Sequence, residues 1–257
     1  MKILVIEPAE PDQSWTEKTC QVVSILKKLG YAVFKAAANG MLYEKVIREK
    51  PDVVFNLAGN DNETARRIPA ILEIADVRYT GSCMMALSFN RFYNLMFPLL
   101  ADSGIPTAPF VVMKAGQTIP VDHLHYPLTL FREGLCSGQN LDTLADLRSA
   151  LKSIPIHDEV IVFGYMKGER EHLYLLDGAP IMTAGNRLCL KPALKAYDVM
   201  EARGLARFDF MRSDEVLLSG VDMSPHPLDD DLMKDAAESG WDEGKLVQYL
   251  VEHAGRD

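Results

Sequence analysis

Arg207, Asp209 and Asp222 are the residues of this chain whose types and spacing best suit chemistry. The first two lie in Gly204-Leu205-Ala206-Arg207-Phe208-Asp209-Phe210, the third in Gly220-Val221-Asp222-Met223-Ser224-Pro225. Both segments alternate polar and apolar residues as strands do, and Arg212-Ser213-Asp214-Glu215 between them is turn chemistry. A period of two puts Arg207 and Asp209 on one face of the first strand, and Gly220 and Asp222 on one face of the second. With the turn centred on Asp214-Glu215, Arg207 faces Asp222 and Asp209 faces Gly220. Two carboxylates and a guanidinium on one surface can seat a divalent cation and an anionic ligand. Read alone, Arg207 and Asp209 also fit a plain surface ion pair on a strand. Gly220 stands where a third acidic group could have been.

Other clusters point to less. His123 and His125 alternate as two zinc ligands on one strand face would, but no third ligand has suitable spacing nearby. Asp229-Asp230-Asp231 reads as a solvated helix start, since acids favour helix N-termini. Met84, Met85 and the apolar residues from Phe89 to Leu100 read as core. Gly59-Asn60-Asp61-Asn62 matches a phosphate-cradling turn only weakly and reads as an ordinary loop.

The elements that must position these residues alternate through the first third. Lys2 to Glu7 is an apolar strand, and Trp15 to Leu29 has helical spacing that Gly30 stops. Tyr31 to Ala37 is a strand, Met41 to Glu49 a helix, Asp52 to Leu57 a third strand, and a helix runs from Glu63 to Ala75. This β-α-β-α order predicts a parallel sheet with helices on both faces. Ile105-Pro106-Thr107-Ala108-Pro109 breaks the preceding helix and marks a boundary. Tyr126 to Phe131 and Glu159 to Gly164 are strands of a small α+β unit, with an amphipathic helix from Leu141 to Ile154 and a glycine-containing loop from Arg132 to Gly138. From Met166 onward, antiparallel strands combine with helices near Lys191 to Arg203 and Asp242 to His253. The domains expected are residues 1–107 (α/β), 108–165 (central α+β) and 166–257 (antiparallel α+β).

The chain has 257 residues, 48% hydrophobic and 25% charged, which is ordinary for a globular protein with a sizeable core. A net charge of -9 without a basic block argues against nucleic acid or an anionic membrane surface as partner. No apolar run reaches the roughly 20 residues of a membrane helix. Cys20, Cys83, Cys136 and Cys189 are scattered, with no C-x-x-C pair, and read as free, mostly buried thiols in a reducing cytoplasm.

Taken in order, several tracts carry a resemblance. They are Val54-Phe55-Asn56-Leu57, Tyr79-Thr80-Gly81-Ser82, Gly104 to Phe110, Tyr126-Pro127-Leu128, Glu133-Gly134, Lys195-Ala196-Tyr197, Arg203 to Phe210 and Ser224-Pro225. The chain resembles the ATP-grasp superfamily and, within it, the D-alanine–D-alanine ligases. The resemblance implies an N-terminal parallel α/β domain followed by central and C-terminal α+β subdomains. It also implies ATP and magnesium as cofactors, an amino acid or peptide-like small molecule as substrate, and a homodimer. Such ligases phosphorylate a carboxylate with ATP and let an amine attack the acyl phosphate; metal and cationic side chains neutralise the charge in transfer. On this resemblance Arg207 matches the arginine that steadies the tetrahedral intermediate, and Asp209 the first metal carboxylate. Asp222 stands where the family has a metal-binding asparagine. Glu171 matches the glutamate that holds the ATP ribose, although Gly168-Glu169-Arg170-Glu171 is one residue longer than the family's tract.

Other positions depart from the family pattern. Phe131 stands where a phosphate-gripping lysine is expected, and Arg132 is a cation one residue out of register, on the other face. Arg91 replaces an earlier phosphate lysine, a cation of different geometry. Phe163 replaces the hinge acid near the adenine, and Gly220 the bridging metal glutamate. Between Glu171 and Arg207 the resemblance implies a deletion that removes much of the loop closing over substrate, and water then competes for an acyl phosphate. Two function classes follow. One is a binding or regulatory pseudoenzyme with an eroded nucleotide site, weak or inactive as a ligase; the other is an active carboxylate–amine ligase with a rebuilt site. The clustering of losses at phosphate, adenine and metal contacts favours the first.

Overall fold

In a computed structural model of the chain, the residues described are all but 60–62, 118–119, 133–137, 182–185 and 256–257. Four consecutive aliphatic residues, Ile3 to Ile6, form the middle of β1 (Lys2–Glu7), and each is fully buried. Only a strand covered on both faces can bury every side chain in a row, as in a parallel sheet. The sheet order is β2-β1-β3-β4, with β2 (Ala32–Ala37), β3 (Val53–Asn56) and β4 (Arg78–Tyr79), and every pairing is parallel. Its helices are α1 (Gln13–Lys28), α2 (Leu42–Glu49) and α3 (Glu63–Ile74). Asp12 caps α1 by accepting from the Trp15 N–H at 2.7 Å, and Gly30 at φ +84° turns the chain out of it.

The second sheet, order β5-β8-β6-β7, is antiparallel. It contains β5 (Phe110–Lys114), β6 (Leu128–Arg132), β7 (Gln139–Leu141) and β8 (Glu159–Phe163), with α6 (Leu144–Lys152). The third, order β10-β9-β11-β12, contains β9 (Glu169–Leu176), β10 (Ala179–Ile181), β11 (Leu205–Arg212) and β12 (Val216–Asp222). The remaining helices are α4 (Met84–Phe89), α5 (Tyr93–Asp102), α7 (Arg187–Val199), α8 (Asp230–Glu238) and α9 (Glu243–Glu252).

Contacts divide the chain into two compact units. The first comprises Met1–Leu87, Leu173–Arg207 and Asp222–Asp257; the second comprises Ser88–His172 and Phe208–Val221. Within the first unit, Ile3, Val5 and Phe55 pack on one face of the parallel sheet with Val22, Leu26, Tyr174, Leu205 and Leu246. Leu4, Ile6 and Val54 pack on the other with Leu42, Ile68 and Leu72. In the second unit Leu128, Leu130, Val160 and Val162 pack against Leu147 and Leu151 of α6.

Several expectations are corrected. Leu141 belongs to β7 and not to the helix, which begins only after Thr143; there a capping box pairs Thr143 with Asp146. Residues 121–127 form turns and bends, so His123 and His125 share no strand face; among the described residues no group of three metal-ligating side chains occurs. Met84 and Met85 are exposed at 39% and 43%, whereas Met96, Phe97 and Leu100 are fully buried. Cys189 is buried but Cys20 is exposed and Cys83 intermediate; Cys136 lies outside the described residues, as does most of the loop at 132–138 and Asn60 to Asn62.

Candidate functional site

β11 alternates as its sequence requires: Ala206, Phe208 and Phe210 are fully buried, while Arg207, Asp209 and Met211 are partly exposed. In the first unit Arg207 is built into a polar group. Its Nη1 donates to the Tyr174 hydroxyl at 3.2 Å and lies 3.7 Å from an Asp231 carboxylate oxygen, and its guanidinium sits 5.7 Å from the Tyr174 ring centroid. Burial pushes the Tyr174 phenol well above its ordinary range, opposed by the neighbouring guanidinium, so it stays a neutral donor and acceptor. Asp222 closes β12, and its Oδ1 accepts from the Ser224 N–H at 2.9 Å.

Asp209 lies in the second unit beside Gly220, where an added Cβ would sit 3.4 Å from the Asp209 Oδ2. The register expected from the turn therefore pairs these two positions. Glu171 on β9 is engaged by the Nε of Arg212, and Glu169 accepts from Arg212 Nη2 at 2.8 Å. Arg132 ends β6 in phase with the buried Leu128 and Leu130, and both its Nε (3.1 Å) and Nη2 (2.7 Å) donate to Asp158 Oδ2. The side of β6 that carries Phe131 is aromatic. The Phe131 ring lies 4.9 Å from Tyr93 and 5.7 Å from Phe163, and Phe163 lies 4.6 Å from Phe97. A Cβ at Gly138 would meet the Phe131 ring at 2.7 Å, so the ring is covered there by backbone. Arg91 precedes α5 in a turn, partly exposed.

No family model matches the chain. It is 24% identical to a D-alanine–D-alanine ligase of Francisella philomiragia over 91% of each chain, and 25% identical to one of Rickettsia bellii over 79% of this chain and 74% of that one. Its fold superposes on a D-alanine–D-alanine ligase of Bacillus anthracis, solved with ATP, with a TM-score of 0.84 and 18% identity over 99% of this chain and 97% of that one. This chain is D-alanine–D-alanine ligase-like, with the ATP-grasp fold. The Francisella alignment spans 273 positions, more than the 257 residues present, so that relative has residues this ligase-like chain lacks.

Three residues of the ligase-like chain escaped sequence reasoning. Asp231 was expected in a solvated helix start; Asp229 does cap α8, accepting from the Asp231 N–H at 3.1 Å, but the Asp231 carboxylate reaches Arg207. Tyr174 was hidden in the apolar run Leu173 to Leu176, where nothing distinguishes a polar hydroxyl from core. Asp158 follows the loop before β8, and only the pairing of β6 with β8 brings it to Arg132.

Proposed function

We infer that this chain is a ligase-like protein with an eroded nucleotide site. It binds Mg-ATP weakly or not at all, forms no D-alanyl-D-alanine, and serves as a binding or regulatory subunit. The observation that carries the reading is the Phe131 ring, seated between Tyr93 and Phe163 at the position where the family resemblance calls for a phosphate-gripping cation. The neighbouring cation does not compensate, because Arg132 is held by Asp158 on the opposite phase of the strand. Gly220 stands beside Asp209 at the position where the family resemblance calls for a bridging metal glutamate. The deletion that the resemblance implies between Glu171 and Arg207 would remove much of the loop that closes over substrate. A phenylalanine and a glycine at these two positions do not fit a magnesium triphosphate. In this reading residues 1–107, 108–165 and 166–257 act as three working parts of a small-molecule-binding framework.

The second reading, an active carboxylate–amine ligase with a rebuilt site, draws on Arg207, Asp209 and Asp222, whose side chains keep the types such a reaction uses. Arg91 is its candidate phosphate cation and Glu171 its candidate ribose contact. A thermal melt with and without Mg-ATP separates the two. Ligand at about 100 times its dissociation constant adds about 2.7 kcal/mol to the native state. A melting temperature unmoved by millimolar Mg-ATP supports the eroded site; a rise of several degrees supports the ligase.

A further inference from the structure

The helix α7, in the first unit, divides its residues between two faces. Cys189, Ala193, Ala196 and Tyr197 recur at three- and four-residue spacing and are buried, which fixes the side that packs inward. Arg187, Lys191 and Lys195 recur every fourth residue on the other side, and all three are exposed. At the rise of an α-helix these cations climb roughly 12 Å along one stripe. Leu188 stands beside them, three positions before Lys191 and therefore its neighbour on the helix surface. It is 66% exposed, a large apolar side chain left to solvent among charges.

The stability of the helix does not account for this stripe. The N-terminal end of a helix carries partial positive charge, which favours acids there and bases at the other end. α7 has the reverse order: Arg187 is its first residue, no acid stands in its first turn, and no base stands in its last. Ion pairing within the chain does not account for it either. Among the described residues no carboxylate pairs with Arg187, Lys191 or Lys195, whereas Lys18 is paired with Asp230 and Arg132 with Asp158. Asp198 follows Lys195 by three positions and forms no ion pair with it. In a chain of net charge -9, the stripe is a local basic surface with an apolar centre.

Charge complementarity decides what fits it. Carboxylates laid along the stripe pair with all three cations and meet the favourable end of the helix dipole, while an apolar side chain between them covers Leu188. We propose that the outer face of α7 docks an acidic amphipathic helix of a partner protein, with Asp or Glu at four-residue spacing beside an apolar side chain. A phosphate backbone meets the cations but offers Leu188 no apolar contact, and the net charge of the chain repels a long polyanion or an anionic bilayer. Exposed ion pairs are individually weak and screened by salt, so the contact is modest in affinity and salt-sensitive. The proposal does not rest on the reading of the nucleotide site.

The test titrates the full-length chain into a fluorescein-labelled peptide of about 15 residues, roughly four helical turns, with glutamate at every fourth position and leucine beside it. Isomers with glutamine for glutamate and with alanine for leucine, an oligothymidylate and phosphatidylserine vesicles are run alongside, and amide shifts of the ¹⁵N-labelled chain locate the contact. The glutamate peptide is expected to saturate and to shift amides of α7. The glutamine isomer, the alanine isomer and salt raised from about 0.05 to about 0.5 M should each weaken binding, the first at least tenfold. Lys191→Glu combined with Lys195→Glu should lose the glutamate peptide at least tenfold and gain a lysine isomer. The melting temperature of that variant should hold or rise, because both positions are exposed and Lys191 lies near the positive end of the helix. No saturable binding of the glutamate peptide, shifts away from α7, an alanine isomer that binds as tightly, or unchanged affinity in the reversed variant would overturn the proposal. Tighter binding of the oligothymidylate or the vesicles would overturn it as well.

Discussion

Replacing Phe131 with lysine tests the nucleotide-site argument from both of its sides. The wild-type ring makes two aromatic pairs, at 4.9 Å with Tyr93 and 5.7 Å with Phe163. Such pairs are each worth about 0.5–1.5 kcal/mol beyond buried area, so Phe131→Lys removes about 1–3 kcal/mol. The lysine stem restores part of the apolar contact on this partly exposed position, which puts the net cost near 2 kcal/mol. For a chain of this length each kcal/mol moves the melting temperature by about 2–4 °C, so differential scanning fluorimetry should show a fall of about 4–8 °C. The same substitution supplies a cation where, on the proposed reading, a working ligase grips the triphosphate. A bond to a charged group contributes about 1.5–3 kcal/mol, so calorimetry should find Mg-ATP bound about tenfold to a hundredfold more tightly than by the wild type. An unchanged melting temperature would refute the packing argument. A lower melting temperature with no gain in Mg-ATP affinity would refute Phe131 as the lost phosphate contact.

Three further outcomes are expected. Burial holds the His226 imidazole near pKa 4, below its ordinary 6.5, with Lys18 adding to the effect. The unfolded chain therefore takes up a proton between pH 6.5 and 4 that the folded chain refuses, and stability falls by about 3 kcal/mol as pH drops through that window; His226→Leu should flatten this part of the pH–stability curve measured by urea unfolding. Gly220→Glu places a second carboxylate beside Asp209, and at about 4 Å in water the repulsion costs about 1 kcal/mol; its melting temperature should drop in EDTA and recover in millimolar magnesium, whereas the wild type should respond to neither. Thr143→Ala deletes the capping box of α6 and should cost about 1 kcal/mol, read as a fall of about 2–4 °C in the melt, with no change in ligand binding.

Where burial and period coincide, the sequence was legible. The aliphatic run of β1, the period-two alternation of β11 and the helix expected near Asp242 to His253, found as α9, each combine a local rule with the face that tertiary packing demands. Centring the turn on Asp214-Glu215 put Asp209 opposite Gly220, and the two positions do adjoin. β7 was missed because it is an edge strand whose Gln139 and Asn140 are exposed, leaving only Leu141 to carry an apolar signal that the following helix also claims. Met84 and Met85 looked like core by composition, but α4 is only six residues long and buries Ala86 and Leu87 instead. The partners of the charged residues were the least legible. Arg207 with Tyr174 and Asp231, Arg132 with Asp158, and Glu171 with Arg212 all join positions at least 24 residues apart, set by sheet order and helix placement. The phase of Arg132 against Phe131 could still be read, because a strand fixes the face of each residue whatever its partner.

The most direct test of the central claim is isothermal titration of the wild-type chain with Mg-ATP, run beside an ADP-release assay with D-alanine. On the proposed reading a phosphate cation is missing at Phe131 and a metal carboxylate at Gly220, two contacts of about 1.5–3 kcal/mol each, so Mg-ATP should bind at least a hundredfold more weakly than in a working ligase. No measurable heat at micromolar Mg-ATP and no ADP release that depends on D-alanine are expected. Micromolar affinity together with D-alanine-dependent ADP release would contradict it and establish the rebuilt ligase in its place.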